Sequence, residues 1–137
     1  MTPRDVADLL ARAYAYGETA WSETAVSECL SNPSTVAVLN PRAVALARVV
    51  SDEAEVLSVA VHPEYQNRGL GRDLVTKLLT ECRSRGAGQA FLEVSEHNLP
   101  ARKLYEIMGF HAAGRRRAYY RSGQTGPTDA IVYRKTL

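Results

Sequence analysis

The sequence predicts an α/β (α+β) fold, a mixed and mainly antiparallel sheet of six to seven strands flanked by four helices. Three observations carry this. Several segments repeat apolar residues at helical spacing, β-rich runs divided by turn residues fill most of the remainder, and one strand-helix-strand unit forces a parallel pair into the sheet.

Thr2-Pro3-Arg4-Asp5 opens the first helix, because a Thr cap, a Pro at the first helical position and an acid three residues after the cap all suit unpaired amides. Val6, Leu9, Leu10, Ala13 and Tyr14 mark its apolar face. Ser22 caps a second helix carrying Val26 and Leu30, which Asn32-Pro33 ends. Strands follow at Thr35 to Leu39, Ala43 to Val50 and Glu55 to Val61, with turns at Asn40-Pro41 and Ser51-Asp52. Leu70, Leu74, Leu78 and Cys82, flanked by Val75 and Leu79, form an amphipathic helix that ends at Gly86. Ala90 to Val94 is a short strand, nearly all apolar as if covered on both faces. A fourth helix runs from about Leu99 to Met108 and stops at Gly109, and strands around Arg115 to Tyr120 and Ala130 to Arg134 finish the chain. With no repeat, linker or low-complexity stretch, residues 1–137 read as a single domain.

At 137 residues and 45% hydrophobic, the chain can build one real core. Cys29 and Cys82 have no metal-ligand or redox spacing and read as buried free thiols, so neither a disulfide framework nor a metal site is expected. The start of the sequence has no charged-then-apolar leader, and no stretch approaches a membrane span, which makes a cytoplasmic protein without membrane contact the expectation. A net charge of +2, from 17 basic and 15 acidic residues, is too balanced for a dedicated nucleic-acid binder, and no direct nucleic-acid binding is expected. His62, His97 and His111 are scattered with no ligand spacing.

The most specific signal is the stretch from Val59 to Arg72, a strand passing through a glycine loop into a helix. Gly69 and Gly71 let backbone amides approach a ligand, and the helix start adds unpaired N–H groups and a positive dipole end. That combination is a pyrophosphate cradle, to which Arg68 and Arg72 can add charge. It lacks the third glycine of a dinucleotide fingerprint and the Gly-Lys-Ser/Thr of a Walker loop. Gly-x-Gly alone would equally suit an ordinary turn capping a helix.

The whole stretch resembles the GNAT acetyltransferases, whose coenzyme A loop has the pattern Gln/Arg-x-x-Gly-x-Gly/Ala, matched by Gln66, Gly69 and Gly71. The resemblance, over roughly residues 20 to 135, implies a sheet split where its parallel pair diverges to admit coenzyme A. It implies acetyl-CoA as co-substrate, with Gln66, Asn67, Arg68, Gly69, Leu70, Gly71 and Arg72 around the pyrophosphate and Val59, Ala60 and Val61 offering backbone groups to the pantetheine arm. It also implies a β-bulge in that strand, freeing an amide for the thioester oxygen. Nothing in Val59-Ala60-Val61 reveals one.

Leu92-Glu93-Val94 sets a carboxylate in an apolar strand, and Lys103-Leu104-Tyr105-Glu106 follows on the next helix. By pattern alone Glu93 fits a solvent-facing strand residue as well as a catalytic one, and Tyr105 fits the core. Together with Asn98, Gly109-Phe110, Tyr119-Tyr120 and the early Trp21-Ser22-Glu23, these residues look like the RimI-type branch of the family, which acetylates the amino-terminal alanine of a small-subunit ribosomal protein. That resemblance implies Glu93 as general base and Tyr105 as general acid. An acceptor α-amine of pKa about 8 must lose a proton, and a thiolate of conjugate pKa about 8.5 must gain one from a phenol of about 10. Asn98 would cap its helix and touch coenzyme A, while Trp21, Tyr119 and Tyr120 would lie on the side of the protein acceptor.

Arg115, Arg116 and Arg117 beside those tyrosines could track RNA, but strand alternation sends neighbours to opposite faces, so a solvated strand or the edge of an acceptor groove fits better. A basic groove suits a basic ribosomal tail poorly, so acids such as Glu23, Glu53 or Glu96 would have to aid recognition. Two rival functions remain, a small-amine acetyltransferase for a polyamine or aminoglycoside, and a non-catalytic acyl-coenzyme A sensor. Glu93 and Tyr105 speak against the sensor, and the aromatic residues favour a peptide over a small amine.

Overall fold

A computed structural model describes residues 1–14, 21–120 and 127–137, of Tyr120 the backbone alone. Helix α1 (Pro3–Ala13) starts at a capping box in which Asp5 N–H donates to Thr2 Oγ1 at 3.1 Å and Thr2 N–H donates to Asp5 Oδ2 at 2.9 Å. Helix α2 (Glu23–Ser31) is capped by the Ser22 hydroxyl, which accepts from Ala25 N–H at 3.0 Å. The remaining elements are β1 (Thr35–Asn40), β2 (Ala43–Val50), β3 (Glu53–Val61), α3 (Leu70–Ser84), β4 (Gln89–Ser95), α4 (Leu99–Ile107), β5 (His111–Tyr120) and β6 (Thr128–Thr136).

Among the described residues these make four α-helices and a six-stranded sheet of order β1-β2-β3-β4-β6-β5, with β3 and β4 parallel and every other pair antiparallel. The architecture expected from the sequence is therefore present, with six strands. Its ends differ in detail. Ser51 adopts a left-handed φ of 54°, which tightens the turn so that pairing reaches Val50 and Glu53, two residues before the expected start of β3. Strand β5 begins at His111, because β6 pairs with the weak β-formers His111 and Ala112.

Strand β4 is not covered evenly on both faces. Ala90, Leu92 and Val94 enter the main core while Gln89, Phe91 and Glu93 are half-buried, an alternation that the run of apolar residues conceals.

The main core joins one sheet face to α3 and α4 through Leu74, Val75, Leu78, Tyr105, Phe110 and Tyr133 among others. A second cluster lies with α1 and α2, where Val6, Leu10 and Val26 meet Val44 and Ala60. Strand β3 contributes to both by means of a bulge. Leu46 pairs with Ser58 but Ala47 with Val56, which leaves Leu57 as an extra residue. Before it Ala54 and Val56 face the main core; after it Val59 and Val61 do so, and Ala60 turns to the second cluster. Without the bulge, Ala54, Val56, Ser58 and Ala60 would all share one face. Ser58 instead meets the Tyr14 hydroxyl at the end of α1, 2.8 Å away.

Candidate active site

The bulge stands where the sheet opens. Strands β3 and β4 pair at Glu53 with Gln89, Ala54 with Ala90 and Glu55 with Phe91, and their pairing ends there. On the far sides the ladders continue, β2 holding β3 as far as Val61 and β6 holding β4 as far as Ser95. The result is a wedge inside the sheet whose two walls are strand edges, Val56 to Val61 on one side and Leu92 to Ser95 on the other. Such edges present backbone donors and acceptors to an extended molecule bearing amides of its own. Val59, Ala60 and Val61 form the outer part of one wall.

The glycine loop closes the wide end of that wall. Beyond Val61 the chain makes a short 3-10 turn, Pro63–Tyr65, and Gln66 returns its side-chain amide to donate to the Val61 carbonyl at 3.1 Å. Asn67 and Gly69 take left-handed φ values of 61° and 79°. Gly69 caps α3 without any side-chain hydrogen bond, so the first-turn amides of Leu70, Gly71 and Arg72 are left for an incoming acceptor. A Cβ at Gly71 would lie 3.5 Å from Val61 Cγ2 and 3.6 Å from Leu104 Cδ2, and the missing side chain keeps open the gap between the end of β3 and α4. Arg68 places its guanidinium 5.5 Å from the Tyr65 ring centroid, and Arg72 is exposed. A bent backbone, uncapped amides and a slot kept free by glycine fit a pyrophosphate with a thin arm running into the wedge.

The two residues expected to move protons lie on opposite faces of the sheet. Tyr105 is 7% exposed, faces the main core from α4 and sets its ring edge-on to Phe110 with centroids 5.6 Å apart. Glu93 alternates with the core residues Leu92 and Val94 and so belongs to the other face, that of α1 and α2. Its Oε1 lies 2.6 Å from Arg116 Nε on β5. Asn98 caps α4 by accepting from Ala101 N–H at 3.2 Å. Trp21 is half-buried against the second cluster, and Tyr119 is 50% exposed with the Arg116 guanidinium 5.4 Å from its ring centroid. Trp21 is thus on the Glu93 side, and Tyr119 reaches it through Arg116. Tyr120 carries an expected role in its side chain, which is outside the described residues.

Two relationships were not readable from the sequence. Arg115 and Arg116 part to opposite faces as strand alternation predicts, but their partners are distant in sequence: Arg116 meets Glu93, while Arg115 donates to Glu96 Oε2 at 2.6 Å and Asp129 Oδ2 at 2.8 Å. Arg115 holds the Glu96 carboxyl below its ordinary range, aided by the Asp129 amide, and Asp129 is lowered by the Ala118 amide and then by Arg115. Glu96 is thus already engaged, and Glu53 sits at the closed end of the wedge, so neither is disposed to receive a basic acceptor. Tyr133, fully buried on β6, is the other. It donates to Glu106 Oε2 at 2.7 Å and accepts from Arg102 Nε at 3.0 Å, pinning α4 to the sheet. Burial, then Glu106, raises its phenol above the usual value.

Among the described residues no group of three or more His, Cys, Asp and Glu could hold a metal ion, and no helix is long and apolar enough to cross a membrane. The chain is 46% identical over 90 residues to the [Ribosomal protein bS18]-alanine N-acetyltransferase of Salmonella typhimurium, a match spanning 66% of this chain and 60% of the relative's own length. Its fold superposes on the crystal structure of the ribosomal-protein-S18-alanine N-acetyltransferase from Escherichia coli with a TM-score of 0.87 and 34% identity, covering 98% of this chain and 87% of that one. Arabidopsis thaliana NAA60, solved in complex with acetyl-CoA, shares the fold at a TM-score of 0.83 and 14% identity, over 100% of this chain and 96% of that one. The model of the acetyltransferase (GNAT) family matches residues 4–110, and the chain belongs to that family.

Proposed function

We propose that residues 1–137 form one cytoplasmic domain that transfers an acetyl group from acetyl-CoA to the amino-terminal α-amine of a protein, foremost the terminal alanine of a small-subunit ribosomal protein. The parting of β3 and β4 beyond Glu55 and Phe91 carries the reading of the reaction, because it opens a gap between the strand that leads to the uncapped amides of α3 and the strand that bears Glu93. The acceptor rests on the likeness to the bS18-alanine enzyme. The match spans less than two thirds of that enzyme's length.

The loop amides of Leu70, Gly71 and Arg72, with Arg68 nearby, hold the pyrophosphate, and Val59 to Val61 hydrogen-bond the pantetheine arm. Asn98 borders the arm from the start of α4. The acceptor enters from the face of α1 and α2, past Trp21, Tyr119 and Tyr120. Glu93 takes a proton from the incoming ammonium, the freed lone pair attacks the thioester carbonyl, and Tyr105 gives its proton to the departing thiolate from the opposite face; the second proton shed by the new amide nitrogen leaves to solvent, from which Tyr105 regains its own. Transfer is direct, without an acyl-enzyme. Cys29 and Cys82 are both buried, and burial holds the Cys82 thiol above its ordinary value, away from the nucleophilic thiolate. Buried free thiols also suit a reducing cytoplasm.

The test is an assay of peptides differing only at residue one, with spermidine and an aminoglycoside alongside, reading thiol release and locating the acetyl group by fragmentation. A peptide beginning with alanine should be acetylated on its α-amine about 100-fold better than one beginning with leucine, because a bulky first residue displaces the nucleophile by around 1 Å. Faster turnover of either small amine than of every peptide would make the small-molecule enzyme the better account and leave the family unchanged.

A further inference from the structure

Arg116 stands where an acceptor's charge must arrive. Its Nε is 2.6 Å from Glu93 Oε1, with side chains 59% and 24% exposed, and its guanidinium lies 5.4 Å from the Tyr119 ring centroid. We propose that Arg116 is a displaceable latch, a positioning residue that occupies Glu93 until the acceptor's ammonium replaces it. The inference rests on the reading of Glu93 as the base.

The exchange is close to balanced in charge. An α-amine of pKa about 8 reaches the protein mostly protonated at neutral pH, so one cation replaces another at the same carboxylate. An ion pair this exposed is weak, which allows displacement. Tyr119 offers the released guanidinium a π-face within cation–π range, so Arg116 can leave the carboxylate without losing all its contacts. Its neighbour cannot do the same, because Arg115 is fixed between Glu96 and Asp129 on the other face.

The latch also guards the thioester. With no acceptor bound, Glu93 could take a proton from water, whose oxygen would attack the carbonyl and release acetate and the coenzyme A thiol. Neutral water brings no charge to replace Arg116 at the carboxylate, whereas an ammonium does. Arg116 thus favours amines over water at the step that decides productive turnover.

The experiment compares Arg116→Met, which keeps an apolar stem without charge, and Arg116→Lys, which keeps the charge, in parent and Glu93→Gln backgrounds. Thiol release is measured without acceptor and with a peptide beginning with alanine. Arg116→Met should raise acceptor-free hydrolysis of acetyl-CoA and lower the peptide KM, each by about two- to fivefold, the range of an exposed ion pair. Arg116→Lys should stay near the parent, and both effects of Arg116→Met should vanish when residue 93 is Gln. The latch is overturned if Arg116→Met leaves hydrolysis and KM at parental values, or if its effects persist with Gln at 93. A large loss of kcat in Glu93→Gln without any effect of Arg116 would keep the base and remove the latch. Parental kcat in Glu93→Gln, with the KM coupling intact, would keep the latch as a binding device and remove the base.

Discussion

Glu55 on β3 and Phe91 on β4 form the last pair between these strands, and four residues further along β3 lies Val59, the first of the residues assigned to the pantetheine arm. Between them sits the Leu57 bulge, which turns Val59 and Val61 toward the main core and Ala60 toward the second cluster. The lining of the wedge thus follows from one extra residue in one strand, which sits two positions past the last β3–β4 pair.

The mouth of the wedge should be sensitive to bulk at Gly71. A Cβ there meets Val61 and Leu104 at ordinary contact distances, so the fold should survive Gly71→Val, but the added methyls would crowd the slot between β3 and α4. Acetyl-CoA affinity should fall about tenfold or more by calorimetry, with the melting temperature little changed. Equal affinity of variant and parent would remove the cradle from the site.

Proton transfer can be separated from packing at the two faces. Tyr105→Phe keeps the ring against Phe110, and kcat should fall about 100-fold if the phenol protonates the thiolate, a loss much larger than any change in acetyl-CoA affinity by calorimetry. Glu93→Gln should lower kcat by roughly 100- to 10,000-fold with acetyl-CoA affinity unchanged, and raising pH through about 8 should restore part of the rate as the free amine forms unaided. Full activity of either variant at pH 7 would leave that residue as structure only.

Helix α4 depends on Tyr133 for its seat. Tyr133→Phe removes the hydroxyl between Glu106 and Arg102 inside the core and should cost about 1–3 kcal/mol in urea unfolding, since both partners lose a hydrogen bond. Because α4 carries Tyr105 and is capped by Asn98, a drop in kcat is expected alongside. Unchanged stability would mean that the hydroxyl does not anchor the helix.

Local signals in the sequence reached far and non-local ones did not. The caps at Thr2, Ser22 and Asn98 and the glycine loop could be read because each involves residues within a few positions of one another. Alternation alone foretold that Arg115 and Arg116 would part, but not that Arg116 would find Glu93, because that contact needs the registers of β4 with β6 and of β6 with β5. The Leu57 bulge was equally invisible in the residues themselves, and only the family resemblance implied one in this strand, since Glu55 to Val61 reads as one uninterrupted strand and the extra residue appears only against β2. For the same reason Tyr133 read as one more residue of the last strand.

The cluster at the end of β4 gives the protein an acid-sensitive joint. Arg115 bridges Glu96 and Asp129, and Asp129 Oδ1 also accepts from the amide of Ala118, whose left-handed φ of 50° sits in an irregular stretch of β5. Both carboxyls are held below their ordinary values of 4.5 and 3.8, Glu96 chiefly by Arg115 and Asp129 chiefly by Ala118 and then Arg115. A carboxyl lowered in the folded state binds fewer protons there than when unfolded, so its stabilisation is complete above those ordinary values and is lost as pH falls through the folded ones. Arg115→Met should therefore lower the melting temperature at pH 7 and flatten its decline below about pH 5, because Glu96 then titrates more alike in both states. Asp129 keeps its bond to Ala118, so some acid sensitivity should remain. The two melting curves should converge at low pH, where the carboxyls are protonated in folded and unfolded chains alike; curves that stayed parallel from pH 7 to pH 2 would mean that Arg115 stabilises the joint by packing rather than by charge.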